Sequence, residues 1–106
     1  MYANYAQADR YRELIGIDPA PFKVLVAVLA YQRLHGFGPT RKQVAETLEE
    51  TSINAAPLLR AGWLTVSGVG PAPKQPLTAT ERAWRNLWPW REAWPAPARA
   101  RESVGA

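Results

Sequence analysis

The 106-residue chain contains no cysteine, one histidine and one methionine. Without cysteine it has no disulfide framework, no thiol nucleophile and no cysteine-ligated zinc site. The single histidine, His35, has no second histidine or cysteine with which to share a metal ion. We therefore expect no metal and no cofactor, and we assign His35 a structural role at a helix C-terminus, where the helix dipole favours a cation.

Long apolar runs are also lacking. The longest, Val24–Tyr31, falls far short of the ~20 residues that a membrane helix needs. No basic segment followed by an apolar one opens the chain, so we expect a cytoplasmic protein without a membrane partner. The adjacent carboxylates of Glu49 and Glu50 would point to different sides of a helix. With no paired-carboxylate pattern, no thiol and one histidine, we do not expect an enzyme.

The charge balance is mildly basic. A net charge of +4 and a pI near 9.9 are compatible with a polyanionic partner. The basic residues are spread along the chain and form no dense stripe, so charge alone favours nucleic acid only slightly.

Two helices are predicted in the first third of the chain. Apolar residues at three- and four-residue spacing indicate a helix over residues 2–15, ended by Gly16. This helix either packs on its own domain or pairs with a second copy. Asp18-Pro19 is typical of a helix start, with the aspartate accepting from the first amides. The helix from Pro19 to about Leu34 has a wide apolar face, which includes Leu34, and would be the central core helix.

The next segment predicts two short helices joined by a polar break. Thr40 and Gln43 have the spacing of a capping box, and the helix that they begin should end near Glu50. The candidate recognition helix spans residues 51–61. Pro57 belongs in its first turn because it has no amide hydrogen, which favours Asn54 over Ser52 as the N-cap. Gly62 should terminate this helix.

The remaining residues predict a hairpin and a last helix. Residues 63–66 are suited to a strand, and the glycine- and proline-rich residues 67–76 would form a wing. The pattern Thr78-Ala-Thr-Glu81 reads as a second capping box. It would begin a helix with Ala83, Trp84, Leu87 and Trp88 on its apolar side, broken or restarted at Pro89 and extended by a last turn to Trp94.

Together these elements predict a mainly α fold with a small β-hairpin, a winged helix-turn-helix with extra N- and C-terminal helices. One domain would span residues 1–94. It would comprise an N-terminal helix over 1–16, a core over 18–78 and a tryptophan-rich C-terminal helix over 78–94. Residues 95–106 are small, polar and proline-containing, so we expect a disordered tail.

A family resemblance rests on four short motifs: Gly36-x-x-Pro39-Thr40, Val44-Ala45-x-x-Leu48, Ser52-Ile53-Asn54-Ala55-Ala56 and Ala61-Gly62-Trp63-Leu64. On these, residues 18–64 resemble the N-terminal DNA-binding domain of the LexA-type repressors. They resemble winged-helix regulators of the MarR and PadR kind more loosely, with Leu77-Thr78 similar to the exit from the wing. The resemblance implies that Ser52 and Asn54 face bases, with Ala55 as an apolar contact. The segment from Asn54 to Gly62 is about one turn shorter than in the LexA-type family.

The leading hypothesis is a dimeric transcriptional regulator that binds double-stranded DNA. Asparagine can pair bidentately with adenine, while Arg41, Lys42 and Lys74 would meet phosphates, which position a protein without specifying sequence. The candidate DNA contacts are Thr40, Arg41, Lys42, Ser52, Asn54, Ala55, Arg60 and Lys74. Alanine- and arginine-rich usage favours a bacterial or phage origin.

The alternative is a winged helix that binds protein, for example a phage or bacterial factor that contacts transcription machinery. The recognition segment has one arginine, Arg60, and three glutamates nearby, so its charge is poorly suited to a negatively charged DNA groove. Tryptophan is enriched at interface hot spots. Helical spacing favours core packing for Trp84 and Trp88, whereas for Trp90 and Trp94, beyond the proline, core and interface are equally open. Candidate interface residues, for a homodimer or another protein, are Tyr5, Tyr11, Trp88, Trp90 and Trp94. A third use of such aromatics is stacking on single-stranded bases near Arg85 and Arg91.

Overall fold

The computed structural model describes Arg12, residues 16–66 and residues 74–93. The chain runs α1 (Pro19–His35), α2 (Arg41–Thr47), α3 (Ala56–Arg60), β1 (Leu64–Val66), β2 (Leu77–Ala79), α4 (Glu81–Leu87) and a 3₁₀ helix (Trp88–Ala93). The predicted N-terminal helix with Tyr5 and Tyr11, the tip of the wing over 67–73, Trp94 and the predicted tail all lie outside the described residues.

Helix α1 is the centre of the core, as predicted. Pro19 is its first residue, but the Asp18 side chain makes no capping hydrogen bond, contrary to our expectation. The third helical position is Pro21, which has no amide hydrogen to donate. We predicted Leu34 on the apolar face of α1, but its side chain is 52% exposed, so that prediction is wrong. The buried residues of α1 are Phe22, Val24, Leu25, Val26, Ala27, Val28, Leu29, Ala30 and Tyr31.

Helix α2 begins with the predicted capping box. The Thr40 hydroxyl oxygen accepts from the Gln43 amide at 3.3 Å, and the Gln43 side chain accepts from the Thr40 amide at 2.9 Å. The helix ends at Thr47, shortly before the predicted end near Glu50. Its end is a Schellman motif, because Glu50 donates to the Ala45 carbonyl at 2.9 Å and Glu49 adopts a left-handed φ of 58°.

Helix α3 has only five residues, and its N-cap is Ala55 rather than the predicted Asn54. Asn54 still contributes, since its Oδ1 accepts from the Ala56 amide at 3.1 Å. Pro57 lies in the first turn, as its missing amide hydrogen predicts. Gly62, with a φ of 81°, terminates the helix as predicted, and the Trp63 amide donates to the Leu58 carbonyl at 2.9 Å.

The two strands form the predicted hairpin, paired antiparallel with Leu64 opposite Ala79 and Val66 opposite Leu77. Strand β2 is also held on its other edge, because the Leu77 amide donates to the Pro39 carbonyl at 2.7 Å. A Cβ at Gly38 would lie 1.8 Å from the Leu77 carbonyl oxygen, so only glycine allows this approach.

Helix α4 begins two residues later than its predicted capping pattern. Thr80, not Thr78, is the N-cap and accepts from the Ala83 amide, since Thr78 belongs to β2. Ala83 and Leu87 are buried against the core, while Trp88 is 41% exposed. The 3₁₀ helix continues the chain through Pro89.

One apolar cluster joins α1 to the hairpin, α3 and α4, and the Gln32 side chain on α1 accepts from the Ala79 amide of β2 at 2.6 Å. The result is a mainly helical, winged-helix-like fold with a two-stranded antiparallel hairpin, which confirms the predicted fold class. In the part of the chain that the structure describes, no helix is long and apolar enough to cross a membrane.

Candidate nucleic-acid interface

The first predicted group of contacts lies at the start of α2. The capping box fixes the backbone of Thr40 and engages its hydroxyl oxygen with the Gln43 amide. Lys42 follows on the exposed side of the helix, whereas Arg41 is half-buried. The cap therefore gives this turn a defined conformation, with the Lys42 ammonium in solvent.

Ser52 and Asn54 lie in the extended segment between α2 and α3, and both are exposed. The Asn54 Oδ1 is already bonded to the Ala56 amide. A bidentate contact with adenine uses the same oxygen together with the amide nitrogen. The oxygen has a second lone pair, so Asn54 can keep its bond to Ala56 and still offer both an acceptor and a donor.

Ala55 does not belong to the interface. It is 2% exposed and is part of the apolar core cluster. Its methyl group packs inside the protein, so the apolar base contact that the resemblance implied is wrong. The burial has a structural reason: residue 55 turns the chain into α3, and its carbonyl accepts from the amides of Leu58 and Leu59.

Lys23 is a candidate that sequence reasoning missed. A depression of about 380 Å³ lies between the first turns of α1 and the segment leading into α3. Lys23, Glu50, Ser52 and Asn54 are among the residues that line it. Lys23 interrupts the apolar pattern of α1 between two buried residues, which marks it as a surface position. Nothing in the sequence indicates that Lys23 and Ser52 line the same depression.

The other two predicted cations lie further along the chain. Arg60 is exposed on the last residue of α3, and Lys74 is exposed shortly before β2. The exposed carboxylates of Glu46, Glu49 and Glu50 follow the cations of α2. The surface is therefore mixed in charge, with basic groups at the start of α2 and acidic groups at its end.

A second candidate surface surrounds Trp88. The Arg33 guanidinium lies 5.2 Å from the Trp88 ring centroid and the Arg91 guanidinium lies 4.7 Å from it. The rings of Trp84 and Trp88 are 6.2 Å apart. Of the other predicted interface residues, Trp90 has no described side chain. The involvement of Arg33 was missed, because only the fold brings the end of α1 to the 3₁₀ helix.

Residues that could hold a metal ion are sparse. Within residues 16–66 and 74–93, no group of three or more histidine, aspartate or glutamate side chains is placed to bind one.

Comparison with known proteins gives a structural likeness but no sequence family. No protein-family model matches the chain, and no curated protein matches it. A crystal structure of a "putative transcriptional regulator protein" from Pseudomonas aeruginosa PA01 is similar, with a TM-score of 0.51 and 25% sequence identity. The match covers 84% of this chain and 63% of that one, so this chain spans less than two thirds of that protein's length. The likeness agrees with a helix-turn-helix or winged fold, while the LexA, MarR and PadR resemblances remain predictions.

Proposed function

We propose that this chain is a small transcriptional regulator that reads duplex DNA with the segment from Ser52 to Arg60 and with its wing. The observation that carries the proposal is that Ser52 and Asn54 are both exposed and line one depression with Lys23. The same depression therefore carries two hydrogen-bonding side chains and a cation, together with the Glu50 carboxylate; such groups can contact base edges and phosphates. The similarity to a protein described as a regulator supports the same class.

The side chains divide into two roles. Ser52, Asn54 and Arg60 are short or forked hydrogen-bonding groups suited to base edges in the major groove. The remaining cations, which would neutralise phosphates, are Lys23, Arg41, Lys42 and Lys74. Thr40 holds the backbone at Arg41 and Lys42 in place through the α2 cap.

Binding to duplexes selected from a random pool, measured over a range of salt concentrations, tests this division. We expect the double substitution Arg41→Ala and Lys42→Ala to weaken binding to all duplexes and to reduce the salt slope by about two, or one per phosphate contact. We expect Ser52→Ala to lower the preference for the selected duplex without changing the slope. Arg85→Ala is the matched control, because Arg85 is exposed on α4 and paired with Glu81 at 2.7 Å. An unchanged slope in the double variant would contradict the phosphate role.

The regulator would act as a homodimer, since two-fold symmetric dimers read paired half-sites. The candidate interface remains Tyr5, Tyr11, Trp88, Trp90 and Trp94. Light scattering of the full chain should give the mass of a dimer at micromolar concentration, and Trp88→Ala should shift the equilibrium towards monomer. A monomer at every concentration would rule out this part of the proposal.

The exposure of Trp88 favours a second candidate function, a module that binds another protein such as a component of the transcription machinery. A partly exposed aromatic ring with two guanidinium groups close to it resembles the hot spots of protein interfaces. In this case Trp88→Ala should abolish capture of the partner, and the Arg41 and Lys42 double variant should leave it intact. Sequence-preferring DNA binding that the Arg41 and Lys42 double substitution weakens would favour the first function.

A further inference from the structure

Helix α3 is too short to hold its own orientation. An isolated helix of five residues is not stable in water, because it makes too few hydrogen bonds to offset nucleation. Its start has no capping side chain at Ala55. Its direction must therefore come from contacts with the rest of the fold, and those at its C-terminal end come from the start of α4.

The three consecutive carbonyls after α3 accept hydrogen bonds from Thr80, the N-cap of α4, and from Arg82 in its first turn. Arg82 Nη1 donates to the Ala61 carbonyl. The Thr80 hydroxyl donates to the Gly62 carbonyl at 2.8 Å, and the Thr80 amide donates to the Trp63 carbonyl at 3.1 Å. The bond to Ala61, the C-cap residue of α3, satisfies a carbonyl that the helix end leaves without an intrahelical partner.

The same guanidinium also covers an aromatic ring. The Arg82 Cζ lies 4.0 Å from the centroid of Trp63, a residue that is itself buried. A planar guanidinium can stack on a ring while its edge donates a hydrogen bond, and a lysine ammonium cannot do both in this geometry. One side chain thus contacts both the C-cap carbonyl of α3, at Ala61, and Trp63, the residue that leads into β1.

We propose that Arg82 is a positioning residue for the DNA-reading segment. By holding the Ala61 carbonyl it orients the peptide next to Arg60, the exposed cation at the end of α3. Arg82 acts on DNA recognition through α3, so its loss reduces discrimination between duplexes and leaves the count of phosphate contacts unchanged. This inference rests on the proposed function.

The competing role for Arg82 is a direct phosphate contact, because its side chain is exposed. The two roles differ in salt dependence. Removing a phosphate contact reduces the salt slope by about one and weakens binding to every sequence. Removing a positioning residue leaves the slope unchanged and weakens binding to the selected duplex.

The experiment compares the full chain with Arg82→Ala and Arg82→Lys, with Arg85→Ala as the control on the same helix. Affinities for the selected duplex and an unrelated duplex are measured at several salt concentrations. We expect both Arg82 variants to lose roughly tenfold in affinity for the selected duplex, as the loss of a stacked, charge-assisted bond implies. Binding to the unrelated duplex and the slope should match those of the parent. A slope reduced by one in Arg82→Ala, or full activity of Arg82→Lys, would overturn the inference.

Hydrogen exchange on the free protein gives a readout that does not depend on DNA. In both Arg82 variants we expect the Trp63 amide, which donates to the Leu58 carbonyl, to exchange roughly tenfold faster. Exchange in α1 should be unchanged, which excludes global unfolding. Unchanged exchange at residues 61–63 would overturn the inference. If the parent chain preferred no duplex, the proposed function would fail while faster exchange would still establish the local contact.

Discussion

Helices α2 and α3 are neighbours in the same helix-turn-helix, yet they begin in opposite ways. Helix α2 begins with a reciprocal pair of hydrogen bonds between Thr40 and Gln43, three residues apart. Helix α3 begins at a buried alanine that offers no side-chain cap, and the preceding Asn54 accepts only from the first amide of the helix. Local sequence therefore specifies the first helix, whereas packing against distant residues specifies the second. Substitutions at the two helices should differ accordingly.

The largest effect is expected from Leu58→Ala in α3. Leu58 is 1% exposed and belongs to the core cluster, so the change leaves a cavity and should lower the free energy of unfolding by about 2–5 kcal/mol. Urea denaturation followed by circular dichroism measures the loss. Leu59→Ala is the control, because Leu59 is only half-buried and should lose less. Equal losses would mean that α3 is not held by its buried side.

A smaller effect is expected from Thr40→Ala, which removes the cap of α2. Loss of such a cap lowers the free energy of unfolding by about 1 kcal/mol. Thr40→Ser keeps the hydroxyl and should retain most of the stability in the same denaturation assay. Should the alanine and serine variants unfold at the same urea concentration, the capping hydrogen bond would contribute nothing measurable.

The smallest expected effect is an increase in stability, from a substitution at the junction between α2 and α3. Glu49 has a left-handed φ of 58° at the end of α2, a conformation that glycine adopts without the steric penalty of a Cβ. We expect Glu49→Gly to raise the free energy of unfolding by up to about 1 kcal/mol. Glu46→Gly, at an exposed position inside α2, should lower it by about 1 kcal/mol. A loss of stability in both variants would refute the account of Glu49.

The same contrast explains what the sequence could and could not reveal. Boundaries set by nearby residues were predictable: the start of α1 at Pro19, the capping box at Thr40 and the stop at Gly62. The exposure of Leu34 was not predictable. Helical periodicity defines the apolar face of α1, but it does not tell how far along the helix the other elements pack against that face. The cap at Thr80 was missed because Thr78 offers the same spacing to Glu81, and only strand pairing decides between the two threonines.

The candidate site shows the same limit. Arg41, Lys42, Ser52 and Asn54 could be named from the spacing of helix signals and from the family resemblance. The burial of Ala55 and the placement of Lys23 beside Ser52 depend on how α1 packs against the segment before α3. Arg82 gave no local signal, because its partners lie about twenty residues earlier in the chain.

The contact of Gly38 with Leu77 bears on how this protein can diversify. Strand β2 is bracketed by β1 on one edge and by the Pro39 carbonyl on the other, so the base of the hairpin is fixed independently of what connects the strands. Residues 67–73 can then be lengthened, shortened or grafted from another hairpin while the register at Leu77 stays in place. If the proposed DNA-reading function holds, changes between the two strands are a route to altered duplex preference, whereas any side chain at position 38 would displace the Leu77 carbonyl.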